Sequence, residues 1–332
     1  MTLDKLQVLD HTMKVHLLRL LLSVLLVALF GPIFACRGEG SGTSGKTAAN
    51  GVANMETILL PGGVALELVP IPKGTFKMGR DSNLLSPANP QHQVTISKDF
   101  SMAKFETTQA QWLAIMRSNP SRFRDKGYGP EKDDLTRPVD SVSWNDIRAT
   151  NTGFLDKLNA ATEGNRPSGM VFRLPTEAEW EYVNFAGATT RFYWGDDPNY
   201  SEINDYAWYQ GNAGETTHGT GELKLPNAFG LYNISGNVSE WCEDDYMMAE
   251  FKVQKPGNDY NATGFDKDNG SPIPIRPDDG SAWKSDPRAY SRVLRDCSWS
   301  RSNSNCLGFL RKPSAPHASG DDWGFRVVLA AP

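Results

Sequence analysis

The sequence has few cysteines, few histidines, no long run of one charge and no apolar run long enough to cross a membrane. Its 34 lysine and arginine residues against 39 acidic residues give a net charge of −5. That balance argues against a nucleic-acid partner, which requires clustered cations to neutralise phosphates. Glycine (30), proline (21) and nine tryptophans favour irregular backbone held together by large side chains, which excludes a helical bundle.

The first 35 residues have the pattern of a secretion signal. The apolar run at residues 20–30 has 11 residues, the length of a signal-peptide core, whereas a membrane-spanning helix needs about 20. Ala35-Cys36 then resembles a bacterial lipobox. The pattern predicts a lipoprotein-type signal peptide over residues 1–35 and lipidation of Cys36. The protein would then be exported and contact the membrane through its lipid anchor, as a cell-envelope lipoprotein. Cleavage without lipidation, giving a periplasmic protein, and a retained anchor are the alternatives.

The rest of the chain divides into a tether and one domain. Residues 36–54 are rich in Gly, Ser, Ala and Asn without apolar periodicity, which predicts a flexible tether. Residues 55–332 contain no second linker and no internal repeat, so we expect one domain. Residues 247–290 are rich in Pro, Gly, Asp and Lys, which indicates a long surface insertion. Beyond Cys36 three cysteines remain, so at least one is unpaired within the chain.

Helix and strand signals are short and mixed. Val64–Pro70 alternates apolar and polar residues, which predicts a strand, with Gly74–Met78 as its hairpin partner. Capping-box spacing after Thr108 and Thr176 predicts two helices. The other expected elements are a helix over Trp144–Leu158 and strands at Val94–Ile96, Phe100–Phe105 and Trp323–Leu329. The class predicted is α+β with little regular secondary structure.

A series of short motifs runs in order through residues 65–330. They are Lys73–Gly79, His92–Thr95, Phe105–Gln109, Asn119–Phe123, Arg137–Val139, Val142–Trp144, Arg173–Tyr182, Pro226–Tyr232, Gly236–Trp241 and Gly324–Arg326. Together they resemble the formylglycine-generating enzyme, or sulfatase-modifying factor, family. The resemblance implies that family's variant of the C-type-lectin-like fold. Its founding members oxidise a protein cysteine to formylglycine with oxygen and a Cu(I) ion held by two cysteines, whereas some relatives are lipoproteins without known catalysis.

The resemblance implies candidate catalytic residues, but the cysteine pair is incomplete. The family's two cysteines lie three and eight residues after a serine. Ser298 matches that serine and Cys306 the second cysteine, whereas Arg301 stands at the first. Arginine cannot bind Cu(I), which favours thiolates. Cys242 or Cys297 is then the possible second thiol, and we favour the pair Cys242–Cys306, as a disulfide or an unusual dithiolate site.

The resemblance also implies one calcium site. Its ligands would be Asn233, Gly236, Val238 and Glu240, an all-oxygen set suited to a hard cation; a hydrogen-bonded turn without metal is the alternative. Within this loop Ser239 replaces an aromatic residue that lines the catalytic pocket of the oxidases, which we expect to open or reshape that pocket.

Three glutamates near Thr176 have a simpler interpretation than catalysis. Glu177, Glu179 and Glu181 lie at helical spacing, which predicts a cap, an N-terminal charge and a solvated face. Two hypotheses for function remain open. One is a copper- and oxygen-dependent oxidase acting on a protein cysteine, with Cys306 as the redox residue and Ser298 positioning substrate or oxygen. The other is a non-catalytic lipoprotein that binds a protein or peptide partner.

Overall fold

The computed structural model describes residues 55–80, 91–124, 134–246, 277–284 and 289–332, and the backbone of residues 264–265 and 272–273. The helices are α1 (Gln109–Met116), α2 (Trp144–Arg148), α3 (Phe154–Thr162), α4 (Glu177–Phe185) and α5 (Ile203–Tyr206), with 3₁₀ turns at Pro61–Gly63 and Asn303–Asn305. The strands are β1 (Glu56–Leu60), β2 (Val64–Ile71), β3 (Gly74–Met78), β4 (His92–Ile96), β5 (Phe100–Ala103), β6 (Val171–Arg173), β7 (Ser239–Asp245), β8 (Gly264–Phe265), β9 (Pro272–Ile273), β10 (Arg292–Arg295), β11 (Arg311–Ser314), β12 (Trp323–Gly324) and β13 (Val328–Ala330).

Two sheets organise the domain. The larger has the order β1-β2-β5-β13-β6 with antiparallel neighbours, so the last strand of the chain lies in its interior. The second has the order β11-β10-β7-β12. In it β12 runs parallel to β7, whereas β10 and β11 are antiparallel to their neighbours. The short elements confirm the predicted α+β class with little regular structure.

The hydrophobic core lies on both faces of the larger sheet. Along β13 and the residue before it, Val327 and Leu329 belong to one apolar cluster and Val328 and Ala330 to another. Successive side chains of a strand point to opposite faces, so the clusters are on opposite sides. The first cluster contains residues of α1, α2 and α3, and the second contains residues of α4.

The helix starts are set by local sequence. Thr108 and Thr176 each accept a hydrogen bond from the backbone of the third helical residue, whose side chain bonds back, as the predicted capping boxes require. Ser143 does the same for α2. The single helix expected over Trp144–Leu158 is wrong, because residues 149–153 separate α2 from α3 and Asn151 has a φ of 64°.

Two predicted strand assignments are also wrong. Gly74–Met78 pairs with β4 rather than with β2, whose neighbours are β1 and β5. The tight turn at Pro61–Gly63 brings β1 against β2 and leaves no free edge there for Gly74–Met78. The expected strand Trp323–Leu329 is divided into β12 and β13, which join different sheets.

The predicted signal peptide and tether, with Cys36, lie outside the described residues, as does most of the predicted insertion at 247–290. No helix in the described part of the chain is long and apolar enough to span a bilayer.

Candidate functional site

The cysteines do not pair as expected. Cys297 and Cys306 form a disulfide with a Cα–Cα distance of 4.7 Å, so the favoured pair Cys242–Cys306 is wrong. Cys242 is a buried free thiol on β7, and burial raises its pKa well above the usual range, with Asp244 and Glu177 adding to the effect. The reason lies in the fold. Cys297 lies two residues after the end of β10 and meets Cys306 among the buried side chains of Ile203 and Ala207, whereas Cys242 packs in a different cluster.

The disulfide closes a short loop that carries Ser298 and Arg301. The Ser298 hydroxyl is buried and donates to Asp322 Oδ2 at 2.8 Å, and Ser300 donates to the same oxygen at 2.6 Å. Arg301 is half exposed, and its Nε lies 3.6 Å from that oxygen. Ser298, the predicted positioning residue, is therefore bound to Asp322, whereas Arg301 and Ser304 of this loop are exposed to solvent.

Copper does not fit the cysteines as the structure places them. A Cu(I) ion needs free thiolates, but the sulfur atoms of Cys297 and Cys306 are bonded to each other. Cys242 is buried with a raised thiol pKa, which opposes the thiolate form. The described residues contain no group of three or more His, Cys, Asp or Glu side chains arranged to hold a metal ion.

Lys312 contacts the small side chain of Ser239. Its Nζ donates to Ser239 Oγ at 2.9 Å, and the single proton of that hydroxyl is shared between the carbonyl oxygens of Asp296 (3.2 Å) and Cys297 (3.3 Å). Burial lowers the pKa of Lys312, against the opposing charge of Asp296. A lysine ammonium thus lies against the serine, and the reshaping of the pocket expected at Ser239 stays a prediction.

Lys312 and Arg301 lie on a cleft of about 380 Å³. This size is within the range of small ligand sites. The residues lining the cleft combine cationic and apolar side chains. They are Leu294, Arg301, Asn305, Leu310, Arg311, Lys312, Pro313 and Trp323. Neither Ser298 nor Cys306 is among these lining residues, so the candidate catalytic residues form the support of the cleft rather than its surface.

The predicted calcium loop is held by a buried arginine. Glu240 accepts hydrogen bonds from Arg326 at 2.6–2.9 Å and from Trp180 at 2.8 Å, so its charge is already balanced. Asn233 Oδ1 and Glu106 Oε1, by contrast, are buried oxygens without a hydrogen-bond partner in the described residues. The loop therefore offers Asn233 as an open oxygen ligand, whereas Glu240 is shared with Arg326.

The other two calcium positions are structural parts of the same loop. Gly236 has a φ of +88°, and a Cβ there would collide with the carbonyl of Trp208, so the turn requires glycine. Val238 is fully buried. Calcium stays a prediction for this loop.

The glutamates of α4 do not form a solvated face. Glu177 and Glu181 are 1% exposed and Glu179 is 6% exposed. Arg295 bonds to Glu177 and to Glu181 at 2.7 Å each, and Arg311 bonds to both oxygens of Glu177 at 2.7 and 2.6 Å. Glu179 caps the helix as predicted. We call Glu177, Glu181, Arg295 and Arg311 the buried ion network.

Sequence reasoning missed Lys312, Arg311 and Asp322. The only local signal was an adjacent pair of basic residues at 311–312 between apolar Leu310 and Pro313. Their partners Glu177 and Ser239 are distant in sequence, at separations of 134 and 73 residues. No spacing rule connects positions so far apart.

Comparison with known proteins gives consistent matches. The profile of the family described as "Sulfatase-modifying factor enzyme 1-like domain" matches residues 61–331. "Chaperone protein LppX" of Paenibacillus barcinonensis is 31% identical over 228 residues, which are 56% of this chain and 74% of that protein. "Formylglycine-generating enzyme" of Streptomyces coelicolor is 32% identical over 203 residues, 58% of this chain, and the match spans about half (52%) of that enzyme.

A solved structure also superposes over most of the chain. Treponema denticola variable protein 1 matches with a TM-score of 0.61 and 26% identity, over 84% of this chain and 99% of that one. The fold predicted from the motifs is confirmed by these matches.

Proposed function

This chain belongs to the sulfatase-modifying factor enzyme 1-like domain family, and on that premise we propose that it is a non-catalytic member that binds a protein or peptide partner. The proposed binding site is the cleft beside Arg301 and Lys312. Family membership indicates the fold much better than the reaction, so the function is inferred here from the residues of the site.

The bond between Cys297 and Cys306 carries this proposal. Copper-dependent oxidation needs two thiolates at one place, and here one partner position is Arg301 while the other cysteine is held in a disulfide. Arg301 also adds positive charge, which opposes a cation. A ten-residue disulfide loop instead contributes about 2–3 kcal/mol of stability by restricting the unfolded chain. The disulfide between Cys297 and Cys306 therefore holds in place the loop that carries Arg301 on the wall of the cleft.

One of the comparisons supports a binding function. A relative that is 31% identical and covers 56% of this chain bears the name chaperone protein. The formylglycine-generating enzymes match at similar identity, so identity alone does not choose between the two activities.

We place the protein outside the cytoplasm. Support comes from the secretion pattern of residues 1–35 and from a disulfide, a bond that persists in oxidising compartments. Lipidation of Cys36 would then tether the binding domain to a membrane surface. Mass analysis of the N-terminal peptide of the exported protein tests this, because an acylated Cys36 and an unmodified one differ in mass.

The experiment that tests the proposed function is a Cu(I) titration of the purified full chain, followed by an oxygen-consumption assay with a cysteine-containing peptide. We expect no stoichiometric copper binding and no peptide oxidation. The variant Cys297→Ala/Cys306→Ala, which leaves no reactive thiol at the loop, is the matched control. One Cu(I) bound per chain, with peptide oxidation that is lost in this variant, would establish the oxidase and overturn the proposal.

A further inference from the structure

The charged residues that line the cleft all have the same sign. Arg301, Arg311 and Lys312 are cationic, and none of the lining residues is acidic. Because a cleft lined by one sign of charge concentrates ions of the other sign, this cleft favours an anionic group.

The three cations are not equally available. Arg311 is buried and bonded to both oxygens of Glu177, so its charge belongs to the buried ion network. Lys312 differs. Its Nζ has three N–H donors, one of which is given to Ser239 Oγ, and among the described residues no carboxylate forms an ion pair with it. The charges of Asp296 and Asp322 act on this ammonium but do not offset its burial, which lowers its pKa, so an anionic ligand at the cleft would stabilise it further.

Arg301 is the second available cation. Its nearest carboxylate oxygen, Asp322 Oδ2, is 3.6 Å away, beyond normal hydrogen-bond distance. That oxygen already accepts from Ser298 and Ser300. The guanidinium is half exposed and lies in the disulfide-closed loop, so it can turn its donors toward the cleft without disturbing the core. Arginine's planar donors suit a two-oxygen acceptor such as a carboxylate.

Apart from Asn305, the remaining lining residues are apolar. Leu294, Leu310, Pro313 and Trp323 line the same cleft, and the indole of Trp323 is partly exposed. The cleft volume of about 380 Å³ admits a few side chains and excludes a folded domain. A ligand that fits both features carries a negative group beside an apolar one.

We propose that this cleft captures a carboxylate, either a chain terminus or an acidic side chain, on a peptide segment that places an apolar side chain next to it. Lys312 and Arg301 would bind the carboxylate while Trp323 and Leu310 contact the apolar group. The proposal rests on the proposed function and specifies the chemistry of the partner. The lowered pKa of Lys312 supports it, because an anion at this position would compensate for the burial of the ammonium.

The test uses dye-labelled pentapeptides and fluorescence anisotropy with the full chain in mild detergent. The peptides differ in single groups: Leu-Glu against Leu-Gln at the centre, and a free C-terminus against a C-terminal amide. We expect peptides with either carboxylate to bind at least about tenfold more tightly than the neutral versions. Lys312→Met and Arg301→Gln should each remove most of that difference, whereas Lys77→Gln, an exposed lysine on β3, should leave it unchanged.

Equal affinity for the charged and neutral peptides would overturn this proposal while leaving partner binding intact. Tighter binding of a phosphoserine peptide than of the glutamate peptide would overturn the assignment to carboxylates. The copper titration answers a separate question. An oxidase with a carboxylate-dependent cleft would bind copper, which overturns the proposed function, and would still prefer the charged peptides, which supports this inference.

Discussion

Two regions of this molecule contain buried or half-buried cations, and they differ in how completely carboxylates balance those cations. In the buried ion network two arginines face two glutamates, and each side chain has a partner at 2.6–2.7 Å. At the cleft, Lys312 bonds to a serine hydroxyl and feels the charge of Asp296 without a described ion pair to it, and Arg301 has one carboxylate oxygen at 3.6 Å.

This difference assigns the buried ion network to the stability of the fold and the cations of the cleft to the proposed binding of a partner. A buried charge that is balanced inside the fold needs nothing from outside, and removing one partner leaves the other uncompensated. A cation that lines an opening and is only partly balanced adds less to stability, and in the proposed function it is the group that meets a ligand. The balanced network also meets the cleft at Arg311, so the folded core holds one wall of the binding site in place.

The largest effect expected is on the buried ion network. Arg295→Met should lower the free energy of unfolding by about 3–5 kcal/mol, because Glu177 loses one of its two arginines and Glu181 loses its arginine. Urea denaturation followed by circular dichroism measures it. Arg301→Met is the control from the cleft, where the same change of residue type should cost less than about 1 kcal/mol. Similar losses of unfolding free energy in both variants would contradict the distinction between the buried ion network and the cations of the cleft.

Breaking the disulfide should have the next largest effect. Cys297→Ala/Cys306→Ala should lower the stability by about 2–3 kcal/mol, since the closed loop no longer restricts the unfolded chain. Non-reducing peptide mapping of the parent protein should find Cys242 as the free thiol, and Cys242→Ala should leave the disulfide intact. A mapped bond that includes Cys242 would show that the pairing is not the one described.

Stability should fall as pH rises from about 5 to about 8. Burial raises the pKa of Glu106 to about 8, with Glu240 adding to the effect and Arg326 opposing it, and burial followed by the charge of Glu177 raises that of Asp244. Between its unfolded and folded pKa values such a carboxyl binds more protons in the native state, so the slope of stability with pH is negative there.

Melting temperatures across this pH range check the prediction. We expect a decrease of about 3–6 °C, and Glu106→Gln, which is neutral at every pH, should flatten the curve. A Tm that rises over the same range would show that these carboxyls are ionised in the native protein.

Lys312→Met should change stability less than any of these variants. It replaces a desolvated ammonium by an apolar side chain of similar length, so we expect a change between zero and about 1 kcal/mol in the stabilising direction. Urea denaturation beside the peptide-binding assay gives both quantities. A loss of unfolding free energy above about 2 kcal/mol would show that Lys312 stabilises the fold, as Arg295 does.

Calcium should produce the smallest shift. Since Glu240 is already balanced by Arg326, a calcium ion would gain little charge from it, and we expect 1 mM calcium to raise the Tm by less than about 4 °C relative to a chelator. Asn233→Ala should abolish any shift. A much larger stabilisation would mean that Arg326 gives up Glu240 to the metal.

Local signals predicted the helix starts but not what the helices face. The capping boxes at Thr108 and Thr176 depend on residues three apart, and both formed as expected. The burial of Glu181 depends on Arg295, 114 residues away, so the expectation of a solvated face for this helix was wrong. A charged residue at helical spacing gives no sign of whether a cation will meet it.

The motifs likewise predicted the family and its fold, and the short helix and strand signals predicted the α+β class. Tertiary structure alone decided that Gly74–Met78 pairs with β4, that Cys306 bonds to Cys297, and that Lys312 on β11 reaches Ser239 on β7 of the same sheet. No local pattern predicts these pairings, because each partner is selected by the path of the folded chain. The sequence by itself therefore determined the family and the helix caps, which depend on short local motifs, whereas only the fold decided which buried charges face a partner.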